Sequence, residues 1–135
     1  MTRSCRGCFM AGFEWMSYKG KRILYMDVVS QKPTPQQKLE EFLDVVQRLE
    51  KEIAKEPPKS ILSICSVKGG TATPEITQRL KEFTRNNEPY MKMTAVIGIE
   101  GVKKVIYSGV LLFTGRKNLV LKDSKQEALD WLVEP

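Results

Sequence analysis

The 135-residue chain contains no histidine, and this absence excludes the commonest nucleophilic catalysts. Ser–His and Cys–His pairs cannot form without an imidazole, so proton transfer would fall to carboxylates, lysines or tyrosines. The sequence also lacks the complete glycine patterns of a phosphate-binding P-loop and of a dinucleotide-binding turn. We therefore expect a protein that is not an enzyme and that needs no cofactor.

Cysteine is scarce, with three residues in the whole chain. A structural zinc site takes four ligands, and three thiols without a histidine cannot supply them. Cys5 and Cys8 have the spacing of a redox pair, but no predicted strand or helix places them at a helix N-terminus, where such pairs react. Cys65 lies in an apolar run and is predicted to be a small buried hydrophobe. Neither metal nor redox chemistry is expected.

Long hydrophobic runs are also missing. The longest aliphatic or aromatic run is four residues, at 110–113, whereas a membrane span needs about 20 apolar residues. The first 25 residues contain no apolar stretch typical of a secretory signal, so a cytoplasmic location without a membrane span is expected. Residues 1–12 have no periodicity and are predicted to be a mobile tail that precedes a single domain at 13–135.

The formal net charge of +6 is unevenly distributed. Residues 1–22 carry five basic side chains and one acidic side chain, a net charge of +4 that leaves +2 for the rest. A nucleic-acid-binding protein would be expected to show a basic stripe with interleaved aromatic residues on one element. No such stripe is visible in the sequence, which argues against a nucleic-acid partner.

Apolar periodicity predicts strands that alternate with helices. A hairpin, or a short strand followed by a longer one, is predicted for residues 13–18 and 22–29, joined by the turn-forming pair Lys19-Gly20. The other predicted strands are residues 60–67, 94–99 and 119–121. Four helices are predicted to begin at Pro35, Pro74, Val102 and Ser124, with Gly115 ending the third.

Thr34, Thr73 and Ser124 are each predicted to cap a helix N-terminus, and Gln37 and Glu127 complete two capping boxes. The first helix is predicted to bury an apolar stripe of Leu39, Phe42, Leu43, Val46, Leu49 and Ile53. The order of elements predicts a single α/β domain with a mixed sheet of about five strands and about four helices.

Four segments resemble the bacterial STAS-like proteins: YKGKRILYMD at 18–27, NEPYMKMTAVIG at 87–98, TGRK at 114–117 and EALDWL at 127–132. These proteins are relatives of the anti-sigma-factor antagonists, and they are also grouped by fold with the CRAL-TRIO lipid-binding proteins. The resemblance covers residues 18–133. It implies a mixed-sheet α/β domain and a regulatory role that depends on binding a protein partner.

In the antagonists, a turn after a core strand carries an Asp-Ser-Ser-Gly type motif whose serine is phosphorylated. The corresponding turn here, at 67–73, departs from that motif because no serine lies between Lys68 and Pro74. Its hydroxyl groups belong to Thr71 and Thr73, and Thr73 is better explained as a helix cap. The candidates for partner binding or phosphorylation are Lys68, Gly69, Gly70, Thr71 and Thr73.

An alternative function follows from the helix predicted to begin at Val102. Leu111 and Leu112 widen its apolar stripe beyond one face, so they are candidate contacts for a small apolar ligand or a lipid. A helix that is buried on two sides, or that lies at a dimer contact, explains the same two leucines. Monomer and homodimer both remain open.

Overall fold

Five strands form one mixed sheet in the computed structural model, which describes residues 12–69, 73–99 and 118–134. The spatial order of the strands follows the chain. The strands are β1 (Gly12–Tyr18), β2 (Lys21–Asp27), β3 (Ile61–Ser66), β4 (Met91–Ile97) and β5 (Leu119–Leu121). The first two strands pair antiparallel, and the three other pairings are parallel. The predicted mixed sheet is therefore confirmed.

Three α-helices lie in the described part of the chain: α1 (Pro35–Ile53), α2 (Pro74–Asn87) and α3 (Lys125–Leu132). A short 3-10 helix, Glu88–Tyr90, joins α2 to β4. The helix predicted to begin at Val102, which contains Leu111 and Leu112, lies outside the described residues. The predicted count of four helices therefore stays a prediction.

The hairpin of β1 and β2 forms because two consecutive residues adopt positive φ. Lys19 has φ of 49° and Gly20 has φ of 80°, the conformation that a two-residue turn between twisted strands requires. The strands then pair along their whole length, from Tyr18 opposite Lys21 to Gly12 opposite Asp27. The predicted hairpin is confirmed.

Side-chain caps begin α1 and α3 as predicted. The Thr34 hydroxyl accepts a hydrogen bond from the backbone N–H of Gln37 at 3.1 Å. The Ser124 hydroxyl accepts one from the backbone N–H of Glu127 at 3.1 Å. Each cap satisfies a backbone donor that has no partner within its helix.

The buried stripe of α1 differs from the predicted one at three positions: Leu39 is only partly buried, Leu43 is exposed, and Val45 joins the stripe. Leu43 is 39% exposed, whereas Val45 is fully buried. The buried residues are Phe42, Val45, Val46, Leu49 and Ile53, whose spacings of three and four keep them on one face. Leu43 lies about 100° around the helix from Phe42, on the side opposite to Val45, and it therefore falls outside that face. Its assignment to the core was wrong.

Apolar side chains pack on both faces of the sheet. One cluster contains the buried residues of α1 and α2, and the other contains those of α3. Strand β3 lies between the two clusters, and all six of its residues are buried. Cys65 on this strand is 5% exposed, which confirms that it is a buried thiol.

An ion pair joins α1 to α2 at their partly exposed surface. The Arg79 guanidinium donates two hydrogen bonds to the Glu50 carboxylate, at 2.8 and 2.9 Å. The Asn86 carboxamide donates a third, at 3.2 Å. This two-pronged geometry fixes α2 against α1, and with it the turn that enters α2.

Candidate functional site

The carboxyl ends of β2, β3 and β4 meet at one edge of the sheet. The backbone N–H of Val28 donates to Ser66 O at 3.4 Å, and that of Val67 donates to Ile97 O at 3.0 Å. The chain leaves β3 at this edge and enters the predicted turn. Lys68 and Gly69 are exposed there, while Gly70 and Thr71 lie outside the described residues. Crevices at this edge of parallel sheets are where ligands and partners commonly bind.

Gly98 holds the start of this turn in place from the neighbouring strand. A Cβ atom added at Gly98 would lie 2.5 Å from the Lys68 backbone N and 2.7 Å from its Cα. Gly98 also has φ of 91°, which residues with side chains rarely adopt. Only glycine therefore lets the chain after β4 pass so close to Lys68. We call the group formed by Lys68, Gly69, Thr73 and Gly98 the carboxyl-edge surface.

Thr73 caps α2, as the sequence predicts. Its hydroxyl accepts a hydrogen bond from the backbone N–H of Ile76 at 3.2 Å, and Pro74 follows in the first helical position. The Thr73 carbonyl accepts from the N–H of Thr77 at 2.8 Å. The far end of the turn is thereby anchored to a 14-residue helix.

Lys68 presents a positive charge on this surface. Within the described residues it makes no ion pair, and its side chain is exposed. An exposed cation at this position can pair with an acidic group of a partner and favour its association through complementary charge.

A second polar group lies at the end of β2 and includes Asp27. Burial raises the pKa of the Asp27 carboxyl, and the nearby Glu41 carboxylate raises it further. The hydrogen bond that Asp27 accepts from the Val29 N–H lowers the pKa and partly offsets the rise. One carboxylate oxygen of Glu41 is buried and has no hydrogen-bond partner among the described residues. Negative charge is therefore disfavoured at this corner of the sheet.

Tyr25 completes this corner on the face that carries α3. Burial raises the pKa of its hydroxyl, and a hydrogen bond with the Ser66 side chain opposes the rise. The Lys125 ammonium lies 4.5 Å from the centre of the Tyr25 ring. Sequence reasoning missed Tyr25 and Ser66 because only the register of β2 against β3 brings them together.

An apolar pocket lies on the opposite face of the sheet, between the strands and α2. Its enclosed part has room for about two water molecules, and the rest of the pocket is open to solvent. Its walls include Met26, Cys65, Leu80, Phe83 and Asn87. The ligand contacts predicted at Leu111 and Leu112 lie outside the described residues, so the structure does not place them relative to this pocket.

The described residues contain no group of three or more acidic or thiol side chains that could hold a metal ion. Cys5 and Cys8 lie outside that part of the chain, so the prediction made for them stays a prediction. None of the described helices is both long enough and apolar enough to cross a membrane.

Comparisons with protein families, curated proteins and solved structures gave no match. The α/β fold is shown by the structure itself, and the STAS-like assignment remains a proposal.

Proposed function

We propose that the chain is a STAS-like interaction module, without catalytic activity, that binds a regulatory protein partner through its carboxyl-edge surface. The observation that supports this best is the contact of Gly98 with the Lys68 backbone. That contact fixes the backbone at Lys68, beside the ends of three neighbouring strands. Backbone that is already fixed at this position loses little conformational entropy when a partner binds there.

The chemistry of the surface favours a partner with acidic side chains. Lys68 is an exposed cation, and Gly69 next to it has φ of 78° and no heavy atom within 4 Å of where a Cβ would lie. A partner could therefore approach the backbone closely at Gly69 while an acidic group pairs with Lys68. The absence of histidine from the sequence agrees with a binding role.

Regulation by phosphorylation is part of this proposal and concerns Thr71. Thr73 is engaged as the cap of α2, so Thr71 is the better acceptor of the two predicted hydroxyls. In sequence it lies three residues before Pro74, where α2 begins. A phosphate near a helix N-terminus gains about 0.3–1 kcal/mol at an exposed site, and it would reverse the charge that Lys68 presents.

The test is affinity capture with the wild-type chain and two charge-reversal variants. Lys68→Glu reverses the charge on the carboxyl-edge surface, whereas Lys92→Glu makes the same change at an exposed residue near the start of β4. We expect Lys68→Glu to lose the captured protein and Lys92→Glu to retain it, with both variants melting near the wild-type temperature. Equal capture by the two variants would remove Lys68 from the binding surface and refute the proposal.

A further inference from the structure

Strand β1 forms one edge of the sheet. Among the described residues it pairs with β2 on one side, and no strand pairs with its other side. Tyr18 and Lys21 flank the two-residue turn and therefore hydrogen-bond to each other through their backbones. Because such pairs alternate along an antiparallel ladder, the backbone N–H and C=O groups of Trp15 and Ser17 point away from β2. They present hydrogen-bonding groups that another strand can use.

The sequence of β1 lacks the features that usually protect an edge strand from further pairing. Proteins protect such edges with prolines, lysines, bulges or very short strands. Strand β1 is seven residues long, contains neither proline nor lysine, and keeps an unbroken register with β2. Its large apolar side chains are only partly buried: Phe13, Trp15, Met16 and Tyr18. The strand at the opposite edge, β5, has only three residues. Of the two edges of the described sheet, β1 is therefore the one that favours a partner strand.

The charges beside β1 are complementary to those of a second copy of the chain. Glu14 is the one charged residue of the strand, and it is exposed and makes no ion pair among the described residues. The Lys19 ammonium lies 5.4 Å from the centre of the Tyr18 ring, and its contact with Asp130 is a long one of 4.0 Å between exposed side chains. Side chains alternate along a strand, so Glu14, Met16 and Tyr18 share the face of the sheet that carries α3.

One antiparallel register brings these charges together. When Met16 lies opposite the partner's Met16, Glu14 lies opposite the partner's Tyr18. The partner's Lys19 lies beside that ring, within reach of the Glu14 carboxylate. Shifting the partner strand by two residues in one direction places Glu14 diagonally beside the partner's Glu14, where like charges repel. The same shift in the other direction moves Glu14 beyond the end of the partner's strand.

The same register fits the backbone and the other face of the strand. Trp15 lies opposite the partner's Ser17, so the outward-pointing backbone groups of the two strands meet. The small Ser17 side chain leaves room beside the indole. Trp15 is already held by a hydrogen bond to Glu52 at 3.1 Å and by the Arg22 guanidinium, 3.6 Å from the ring centre. A side chain that is fixed before association loses little entropy when the partner binds.

From these observations, we propose that two copies of the chain pair antiparallel through β1, about a two-fold axis at Met16, into one continuous sheet. The axis repeats each contact, so two ion pairs between Glu14 and the partner's Lys19 flank it. The paired strands cover part of the apolar surface that β1 leaves open on both faces. The residues of this interface are not those of the carboxyl-edge surface, so either proposal can fail without the other.

The test is sedimentation equilibrium at low salt with two charge-reversal variants, each measured alone and both measured as a mixture. Glu14→Lys alone puts like charges at both ion pairs, and so does Lys19→Glu alone. We expect the dimer dissociation constant of each variant to rise about 2- to 30-fold. In the equal mixture, opposite charges meet again at both positions, so a mixed dimer should form with an affinity within about 3-fold of the wild type. In one chain about 13 Å of strand separates Glu14 from Tyr18, so only pairing between two copies explains such a rescue.

Lys92→Glu is the matched control, because it reverses the charge of an exposed residue on β4. It should dimerise as tightly as the wild type, and adding it to Glu14→Lys should not restore the wild-type affinity. Hydrogen exchange gives a second readout, since the N–H groups of Trp15 and Ser17 should exchange more slowly as the concentration of the wild type rises. The proposal is wrong if the wild type stays monomeric at millimolar concentration, or if exchange at Trp15 and Ser17 does not depend on concentration. It is equally wrong if the mixture of Glu14→Lys and Lys19→Glu dimerises no more tightly than either variant alone.

Discussion

Replacing Gly98 by alanine tests how the structure holds the carboxyl-edge surface. The alanine would have to adopt φ near 91°, a strain that costs about 1–3 kcal/mol. Its Cβ would also lie 2.5 Å from the Lys68 backbone N, far inside the usual contact distance of about 3.5–4.0 Å. Overpacking of this kind typically costs a further 1–3 kcal/mol.

Gly20→Ala is the matched control for this experiment. Gly20 has φ of 80°, but a Cβ there would meet nothing within 4 Å. It therefore shares the backbone strain of about 1–3 kcal/mol and lacks the clash. The expected destabilisation is about 2–6 kcal/mol for Gly98→Ala, a large fraction of the 5–15 kcal/mol typical of natural proteins.

Urea unfolding measures the two variants on the same scale. The free energy of unfolding should fall in both, with the larger fall in Gly98→Ala and with no change in the denaturant dependence. If Gly98→Ala is no less stable than Gly20→Ala, then Lys68 does not pack against Gly98 as described. In that case the turn is not fixed from β4, and the proposed recognition surface loses its main support.

Three further substitutions test the caps and charges by thermal or urea unfolding. Thr73→Ala should cost about 1 kcal/mol because the N–H of Ile76 loses its acceptor, and an unchanged midpoint would contradict the cap. Arg79→Met should cost about 1 kcal/mol at pH 7, since the pair with Glu50 is partly exposed. Hydrogen bonds from Arg79 lower the pKa of Glu50 below its usual 4.5, so the stability from this pair is lost as pH falls through the folded-state pKa. The difference from wild type should therefore shrink in acid. Asp27→Asn should raise stability at pH 7. Burial raises the pKa of Asp27 in the folded state above its usual 3.8, so the wild type loses stability as pH rises from 3.8 through the folded-state pKa. The asparagine variant does not have this loss. A stability difference between Asp27→Asn and the wild type that does not change with pH would show that the Asp27 charge is not its cause.

Local signals predicted most of the secondary structure because each has a direct physical origin. The Lys19-Gly20 turn and the caps Thr34, Thr73 and Ser124 depend on neighbouring residues alone, and all four are confirmed. Leu43 was misplaced because helical spacing allows it at one margin of the apolar stripe, whereas the packing of α1 on the sheet buries the other margin, at Val45.

Features that depend on distant contacts were beyond sequence reasoning. Asn87 is the last residue of α2, and only the packing of α2 on the sheet shows that its side chain is buried beside a pocket. The contact of Gly98 with Lys68 requires the parallel register of β3 against β4. A single sequence contains glycine signals for turns, but it does not say which backbone a glycine must approach.

The measurement that tests the recognition surface most directly is site-specific photo-cross-linking in cell extract. A photoreactive amino acid at position 68 would lie on the carboxyl-edge surface, and the same amino acid at position 92 would be exposed elsewhere on the sheet. We expect position 68 to form one defined adduct with a protein partner, and position 92 to form none. Adducts of equal yield from both positions, or an adduct from position 92 alone, would contradict the account.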